Sequence, residues 1–365
     1  MLKQDLLDFN LQELQDFCVL NKLPKFRATQ IWRWIYCFGI KSFKDMNNIS
    51  KITREFLNEI SMISRLEVSE MQESKDGTIK WLIKLNDGSE IETVYIPQED
   101  RGTVCLSSQV GCTLNCSFCH TGTQALVRNL KSSEIIGQLM LVMDYLHDWP
   151  SGKSNRKVTN IVMMGMGEPL LNYEEVSKAI KVMLSDDGIS ISRRRITLST
   201  SGIIPLIEKA GMDLGVNLAI SLHAVNDKLR NQLVPINKKY NLESLIEACR
   251  NYPNLSNSRR ITWEYVMLRD INDTEKDAKN LIKLIRGIPS KINLIPFNPW
   301  PGSFFKTSTK KNIDMFAKVI MEAGFASPIR KPRGQDIYAA CGQLKSDTEK
   351  LRKSQINKLV PTHAI

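Results

Sequence analysis

No stretch of the 365-residue chain approaches the ~20 consecutive apolar residues of a membrane-spanning helix, so no membrane association is expected. The amino-terminal run MLKQDLLDFNLQEL carries acids and lacks the ~7–15-residue apolar centre of a secretory signal, so the chain is read as cytoplasmic. Internal repeats, low-complexity tracts and long linkers are also missing. Hydrophobic residues at 42% and charged residues at 24% are ordinary for a globular protein and exclude wholesale disorder. Acidic side chains are the scarcer sign, 39 against 50 Lys and Arg, giving a net charge of +11. A chain of that balance suits a polyanion, because each neutralised phosphate releases counterions. The length allows two domains, or one large α/β unit with an appendage.

What is present falls into three regions. Residues 9–62 carry apolar residues at three- and four-residue spacing in LQELQDFCVL, RATQIWRWIYCFG and ITREFLNEI, which predicts short helices. Between 66 and 97 the period shortens to two; TIKWLIKL, the turn NDGS and EIETVYIP predict an antiparallel meander. From about residue 103, strands alternate with helices. The strands are 103–108, 158–164, 194–199, 216–222, 261–268 and 291–297, and a helical pattern follows each. That alternation predicts an α/β fold with a parallel sheet closed into a partial (βα)6 barrel. GCTLNCSFCH, GMGEP, STSG, SLH and FNPWPG all fall where these strands end, the edge at which parallel sheets bind ligands.

Cys112, Cys116 and Cys119 form C-x3-C-x2-C. With 8 cysteines in the chain, that spacing arises by chance in roughly 0.4% of sequences, so it reads as a ligand set. Three thiolates can hold a corner of a 4Fe-4S cluster and leave one iron open, and an open iron can chelate S-adenosylmethionine for one-electron cleavage. A structural zinc would need a fourth ligand, with His120 adjacent in sequence but sterically awkward. Residues 116–120 also spell C-x-x-C-H, a c-type haem signature, but haem attachment follows export and would leave Cys112 without a role. Cys18, Cys37 and Cys249 sit among apolar neighbours in helical patterns and read as core residues. Phe118 reads either as packing on a cofactor or as a wall of the cluster pocket. Arg27, Trp32, Arg33 and Trp34 read equally as an RNA-stacking stretch or as a helix core.

The motif, set after the first strand of a half-barrel, resembles the radical S-adenosylmethionine superfamily. Longer words resemble one family within it, the bacterial dual-specificity RNA adenine carbon-2 methyltransferases of RlmN type. They include ETVYIP, LSSQVGCTLNCSFCHTG, VMMGMGEPLLN, SRRRITLSTSG, AISLHAVND, KINLIPFNPWPG and AACGQL, in order from about residue 90 to 345. RATQIWRWIY resembles the family's accessory domain. The resemblance implies a helical RNA-binding domain over 1–62, a meander or linker over 63–100, a radical S-adenosylmethionine core over 101–345 and a tail over 346–365.

It also implies roles. Cys112, Cys116 and Cys119 would hold the cluster, and Gly167, Glu168, Ser199, Ser221, Leu222, His223 and Asn298 would bind S-adenosylmethionine, two molecules per turnover. Gly167 would let the backbone approach the methionine part, and Glu168 would accept from its ammonium. Cys341 would take up the methyl group. Cys105 would release the enzyme–RNA adduct by forming a disulfide with it, and Glu92 would accept a proton. Without the resemblance, Cys341 reads as a small buried hydrophobe and Glu92 as an exposed strand residue. The implied substrates are one adenosine of 23S rRNA and the adenosine 3′ to some tRNA anticodons. A flavodoxin- or ferredoxin-like electron donor and a monomeric state are implied as well. Two alternatives stand beside this reading: the sister methyltransferase acting at carbon 8, and a non-catalytic iron–sulfur protein that binds RNA or carries electrons.

Overall fold

Burial follows the sequence period closely. In Ile79–Lys84, Ile79, Trp81 and Ile83 are buried while Lys80, Leu82 and Lys84 are less so, the alternation of a sheet with one covered face. In Ile261–Met267 six of seven residues are buried, as expected of a parallel strand covered on both faces. The structure, a computed structural model, describes residues 3–346. Most of the tail expected over 346–365 therefore lies outside the described residues. Among those described, no helix is long and apolar enough to cross a membrane.

Three helices come first: α1 (Leu11–Leu20), α2 (Phe26–Tyr36) and α3 (Lys51–Ile60). The first is set by a capping box, in which Asn10 Oδ1 accepts from Glu13 N at 2.9 Å and Asn10 N donates to Glu13 at 2.6 Å. Strands β1 (Glu67–Glu73), β2 (Ile79–Lys84) and β3 (Glu90–Gln98) follow. The core then runs β4 (Arg101–Cys105), α4 (Ser132–Tyr145), β5 (Asn160–Met163), α5 (Tyr173–Leu184), β6 (Ile196–Thr200) and α6 (Ile204–Leu214). It closes with β7 (Asn217–Ser221), α7 (Asp227–Leu233), α8 (Leu242–Arg250), β8 (Ile261–Met267), α9 (Glu275–Leu284), β9 (Ser290–Pro296) and α10 (Lys310–Glu322).

These nine strands form one sheet whose spatial order is the chain order, beside two small two-stranded sheets. Strands β1 to β4 pair antiparallel, and β4 to β9 pair parallel. The meander thus continues the sheet of the core, with β3 hydrogen-bonded to β4 from Val94↔Cys105 to Gln98↔Arg101. The six parallel strands and their helices form the (βα)6 half of the expected fold. Two elements were not legible. Strand β1 reads EVSEMQE and is exposed along most of its length, because a charged edge strand needs no alternation. Helix α7 has only seven residues, too short for a periodic signal, and is fixed by Asn226 accepting from Leu229 N at 2.9 Å.

Gln138 on α4, fully buried, joins the meander to the segment after β4. Its Oε1 accepts from Thr93 Oγ1 at 2.5 Å and from Ser107 N at 2.8 Å; its Nε2 donates to Ser107 O at 3.0 Å. Gln138→Leu keeps the volume but leaves buried backbone groups of Ser107 unpaired. We expect a loss of about 2–4 kcal/mol in urea unfolding; a loss below ~1 kcal/mol would show that the network is not what secures this junction.

Candidate active site

Each polar word noted in the sequence leaves the sheet at the same edge. Residues 111–120 follow β4, GMGEP follows β5, STSG closes β6, SLH closes β7 and FNPWPG follows β9. Between them lies a cavity of about 150 Å3 lined by Cys112, Cys116 and Cys119 on one side. Glu168, Ser199, Ser221 and His223 line it from the strand ends.

The cysteine loop is folded by its own backbone. Gly111 takes φ +75°, and a Cβ there would lie 2.2 Å from Ala125 O. Cys119 N donates to Cys116 O at 3.1 Å, and Ser117 N to Leu233 O at 3.1 Å. Burial pushes the Cys112 thiol up to about 12 and raises Cys116 and Cys119 too, with Cys116 raised further by Cys119 and Cys112. Three buried thiols that oppose one another's ionisation become thiolates only when cationic iron offsets the charge. Among the described residues, no three His, Cys, Asp or Glu side chains are drawn together closely enough to share a single ion.

Glu168 is 2% exposed, and burial raises its carboxyl pKa against the pull of its hydrogen bonds. Its two oxygens accept from Leu170 N at 3.1 Å and Ser201 N at 2.8 Å, which leaves lone pairs for a ligand ammonium. Gly167, at φ +96°, has a second reason to be glycine besides close approach to a ligand. A Cβ there would lie 2.5 Å from Gln109 Cβ, and Gln109 Oε1 in turn accepts from Glu168 N at 2.9 Å. His223 Nδ1 accepts from Val266 N at 3.1 Å, so its proton sits on Nε2. Burial and then Arg230 push its pKa down to about 3, so the ring is neutral at any physiological pH. Phe118 packs edge-on against that ring at 4.5 Å and walls the pocket.

Two expected cofactor residues, Leu222 and Asn298, do not themselves line this cavity. Leu222 is fully buried behind the cavity wall; its N donates to Glu264 O at 3.1 Å and its O accepts from Arg230 Nε at 3.0 Å. Asn298 lines a larger adjoining basin of about 730 Å3, and its Nδ2 donates to Cys341 O at 3.1 Å. Cys105 lines the basin, and Cys341 lines both spaces. Both thiols are free, and Cys105 is pushed up to about 12 by burial and then by Cys341. Glu92 lines neither space. It pairs with Lys80 Nζ at 2.7 Å and accepts from Lys345 N at 2.7 Å, so it helps to hold the segment that carries Cys341.

The amino-terminal candidates divide. Trp32 is 2% exposed and belongs to the core, while Arg33 reaches Asp187 at 3.3 Å. Cys18 and Cys249 are fully buried as expected. Cys37 is half-buried, with its Sγ 3.2 Å from Asp187 O and from Gly188 O.

Sequence reasoning missed Arg230, a lone arginine on a short helix with no motif around it. It is fully buried and donates to Ser201 O at 2.8 Å, Ser221 O at 3.0 Å, Leu222 O at 3.0 Å and Asn237 Oδ1 at 2.8 Å. One guanidinium thereby ties the ends of β6 and β7 together behind the pocket.

A half-barrel with a three-thiolate loop and a glutamate-bearing turn at one edge defines a radical S-adenosylmethionine enzyme. The Radical SAM superfamily model matches residues 106–284, and the Ribosomal RNA large subunit methyltransferase N-terminal domain matches residues 4–63. The dual-specificity RNA methyltransferase RlmN of Bartonella tribocorum is 57% identical over 363 residues, covering 96% of this chain and 89% of that protein. That of Brucella anthropi is 56% identical over 371 residues, covering 97% and 90%. A crystal structure of a radical SAM methyltransferase from Sphaerobacter thermophilus superposes with a TM-score of 0.86 at 38% identity, covering 94% of this chain and 99% of that one. The chain belongs to the dual-specificity RNA methyltransferase RlmN family. Its cofactors are a 4Fe-4S cluster and S-adenosylmethionine, two molecules per turnover.

Arg230→Met should remove the donor from Ser201 O, Ser221 O and Asn237 Oδ1 behind the pocket wall and weaken S-adenosylmethionine binding by about tenfold or more in equilibrium dialysis. Arg230→Lys, with three donors in place of a planar fork, should recover little. Unchanged affinity in a folded, cluster-loaded Arg230→Met protein would show that the clamp does not shape the pocket.

Proposed function

We propose that the chain methylates carbon 2 of adenosine, in 23S rRNA and beside the anticodon of some tRNAs, with Cys341 and Cys105 as the working thiols. The observation that supports it most is the placement of Cys341. It lines both the cavity of the three cluster cysteines and the basin that holds Cys105, so one sulfur can serve the cofactor side and the substrate side. Carbon 2 of adenine is neither nucleophilic nor acidic, so polar methyl transfer to it fails and a carbon-centred route is needed. The cluster and S-adenosylmethionine supply that route through one-electron cleavage of a sulfonium bond. We assign Cys112, Cys116 and Cys119 to the cluster. Gly167, Glu168, Ser199, Ser221, Leu222, His223 and Asn298 are assigned to S-adenosylmethionine, which the lining of the cavity by Glu168, Ser199, Ser221 and His223 supports.

Cys341 Sγ carries the transferred carbon to adenine carbon 2. Cys105 Sγ, as thiolate, then attacks Cys341 Sγ. The S–S bond forms as the S–C bond breaks, and the electron pair goes to the carbon on the base, which takes up a proton. The hydrogen of carbon 2 leaves as a proton, which Glu92 is proposed to accept once the segment at Lys345 has moved aside, and the unpaired electron left on the base would return to the cluster, the one-electron carrier of the reaction. Residues 1–62 are assigned to RNA binding and 101–345 to the catalytic core. The chain is taken to work as a cytoplasmic monomer, reduced by a flavodoxin- or ferredoxin-like donor.

The variants separate these roles. Cys105→Ala, purified from cells, should carry covalently bound RNA that ribonuclease trims to a nucleotide on Cys341, whereas Cys341→Ala should carry none. Intact-mass measurement reads both, and Cys105→Ala free of nucleic acid with its cluster intact would contradict the two-thiol route. Release also depends on pH, because Cys105 lies near 12 and reacts only as thiolate. The thiolate fraction rises with pH well below that value. Release of a preformed adduct should therefore quicken about tenfold per pH unit between pH 7 and 9. A flat profile would mean that another base ionises Cys105.

A further inference from the structure

The basin beside Cys341 has a charge composition that the thiol chemistry does not use. It runs through the inside of the half-barrel, from Cys105, Glu264 and Cys341 to the opposite ends of the strands. At that far mouth it is lined by Arg101, Arg194, Arg260 and Lys291, with Arg330 higher in the lumen and Glu264 as its one carboxylate. The depth from Lys291 to Ile295 on β9 is four residues, roughly 13 Å at ~3.3 Å per residue.

Lys291 sits among the arginines: burial depresses it, and while Glu264 favours its charge, Arg101, Arg330 and Arg260 oppose it. Two of the mouth arginines donate to neutral groups. Arg101 Nε donates to Gln98 and Arg260 Nε to Asn257 O at 2.7 Å, both neutral acceptors. Arg330, higher in the lumen, has its charge favoured by Cys341 and by Glu264. Glu264 is 4% exposed, and its Oε2 has no hydrogen-bond partner among the described residues. A cluster of like charges costs folding energy, and the ligand that relieves it is a chain of phosphates rather than one anion.

We propose that this mouth binds backbone phosphates of the RNA flanking the target adenosine, so that the strand reaches Cys341 from the end of the half-barrel opposite the cysteine loop. The inference rests on the RNA-methyltransferase reading and adds the route by which the substrate enters. A base ~13 Å deep cannot stay in a stacked helix, so the target nucleotide is extruded into the lumen. Phosphates remain at the mouth on Arg101 and Arg260. Both are exposed, and neither belongs to the thiol or cofactor machinery.

The test uses the cluster-loaded full chain and a fluorescent hairpin RNA with the target adenosine in its loop. Arg101→Ala, Arg260→Ala and the double variant are compared with Lys279→Ala, a cation on the outer face of α9. Parent binding should fall steeply with salt. The slope of log affinity against log salt should flatten by roughly 0.7 for each mouth arginine removed and stay unchanged for Lys279→Ala. S-adenosylmethionine cleavage without RNA should be the same in all. Mouth variants that keep the parent slope, while the parent binds and methylates the hairpin, would overturn the route and leave the function standing. A parent that neither binds nor methylates RNA would overturn both.

Discussion

Cys341 lies far along the chain from the cluster loop, and the short segment that carries it is held between that loop and the basin that Cys105 lines. The grip is made on backbone carbonyls, mostly by side-chain donors. His120 N donates to Gly342 O at 2.7 Å, Thr121 Oγ1 to Leu344 O at 2.6 Å and Gln124 Nε2 to Ser346 O at 2.6 Å. Gln343 reaches Pro299 O at 2.6 Å from the other side, and Asn298 holds the carbonyl of Cys341 itself. Residues 120–124 belong to the loop that follows the cluster cysteines, so building the cluster site and placing Cys341 are one structural event. Each bond contributes only ~0.5–1.5 kcal/mol. Together they fix a sulfur that must serve two partners in turn.

The same economy governs charge. The cysteine thiols, Glu168 and His223 are all buried, and burial drives each toward its neutral form. The cofactor side is therefore built from neutral or amide-stabilised groups, and its charge arrives with iron and sulfonium. The substrate side is the reverse, a lumen of cations with one carboxylate. Cys341 sits where the two meet. A sulfur that carries no charge once methylated is suited to that boundary, since it can face either environment without a desolvation cost.

Much of this was legible in the sequence, for reasons that differ by element. The six parallel strands were readable because β-branched and aromatic runs alternate with amphipathic helices, and their ends fell within a few residues. The cysteine loop was readable because ligand spacing is local. Cys105 and Cys341 are proposed as working thiols on family resemblance, since nothing near VCLSS or IYAACGQL distinguishes a working thiol from a small core residue. Arg230, Arg330 and Glu264 were not readable at all. Each acts through where the fold points it, across strands distant in sequence, and a lone arginine on a short helix carries no period or motif. Leu222 and Asn298 show the converse. A word such as SLH marks the right sheet edge without saying which of its side chains face the cavity.

The central claim is that this site places a methyl group on carbon 2 of adenine in RNA. The direct measurement is nucleoside mass spectrometry with authentic standards, on rRNA and tRNA incubated with the cluster-loaded protein, S-adenosylmethionine and a reductant. The account predicts 2-methyladenosine in both RNAs, with one methyl gained per modified base. Product at carbon 8 alone, or cleavage of S-adenosylmethionine with no methylated adenosine, would contradict it.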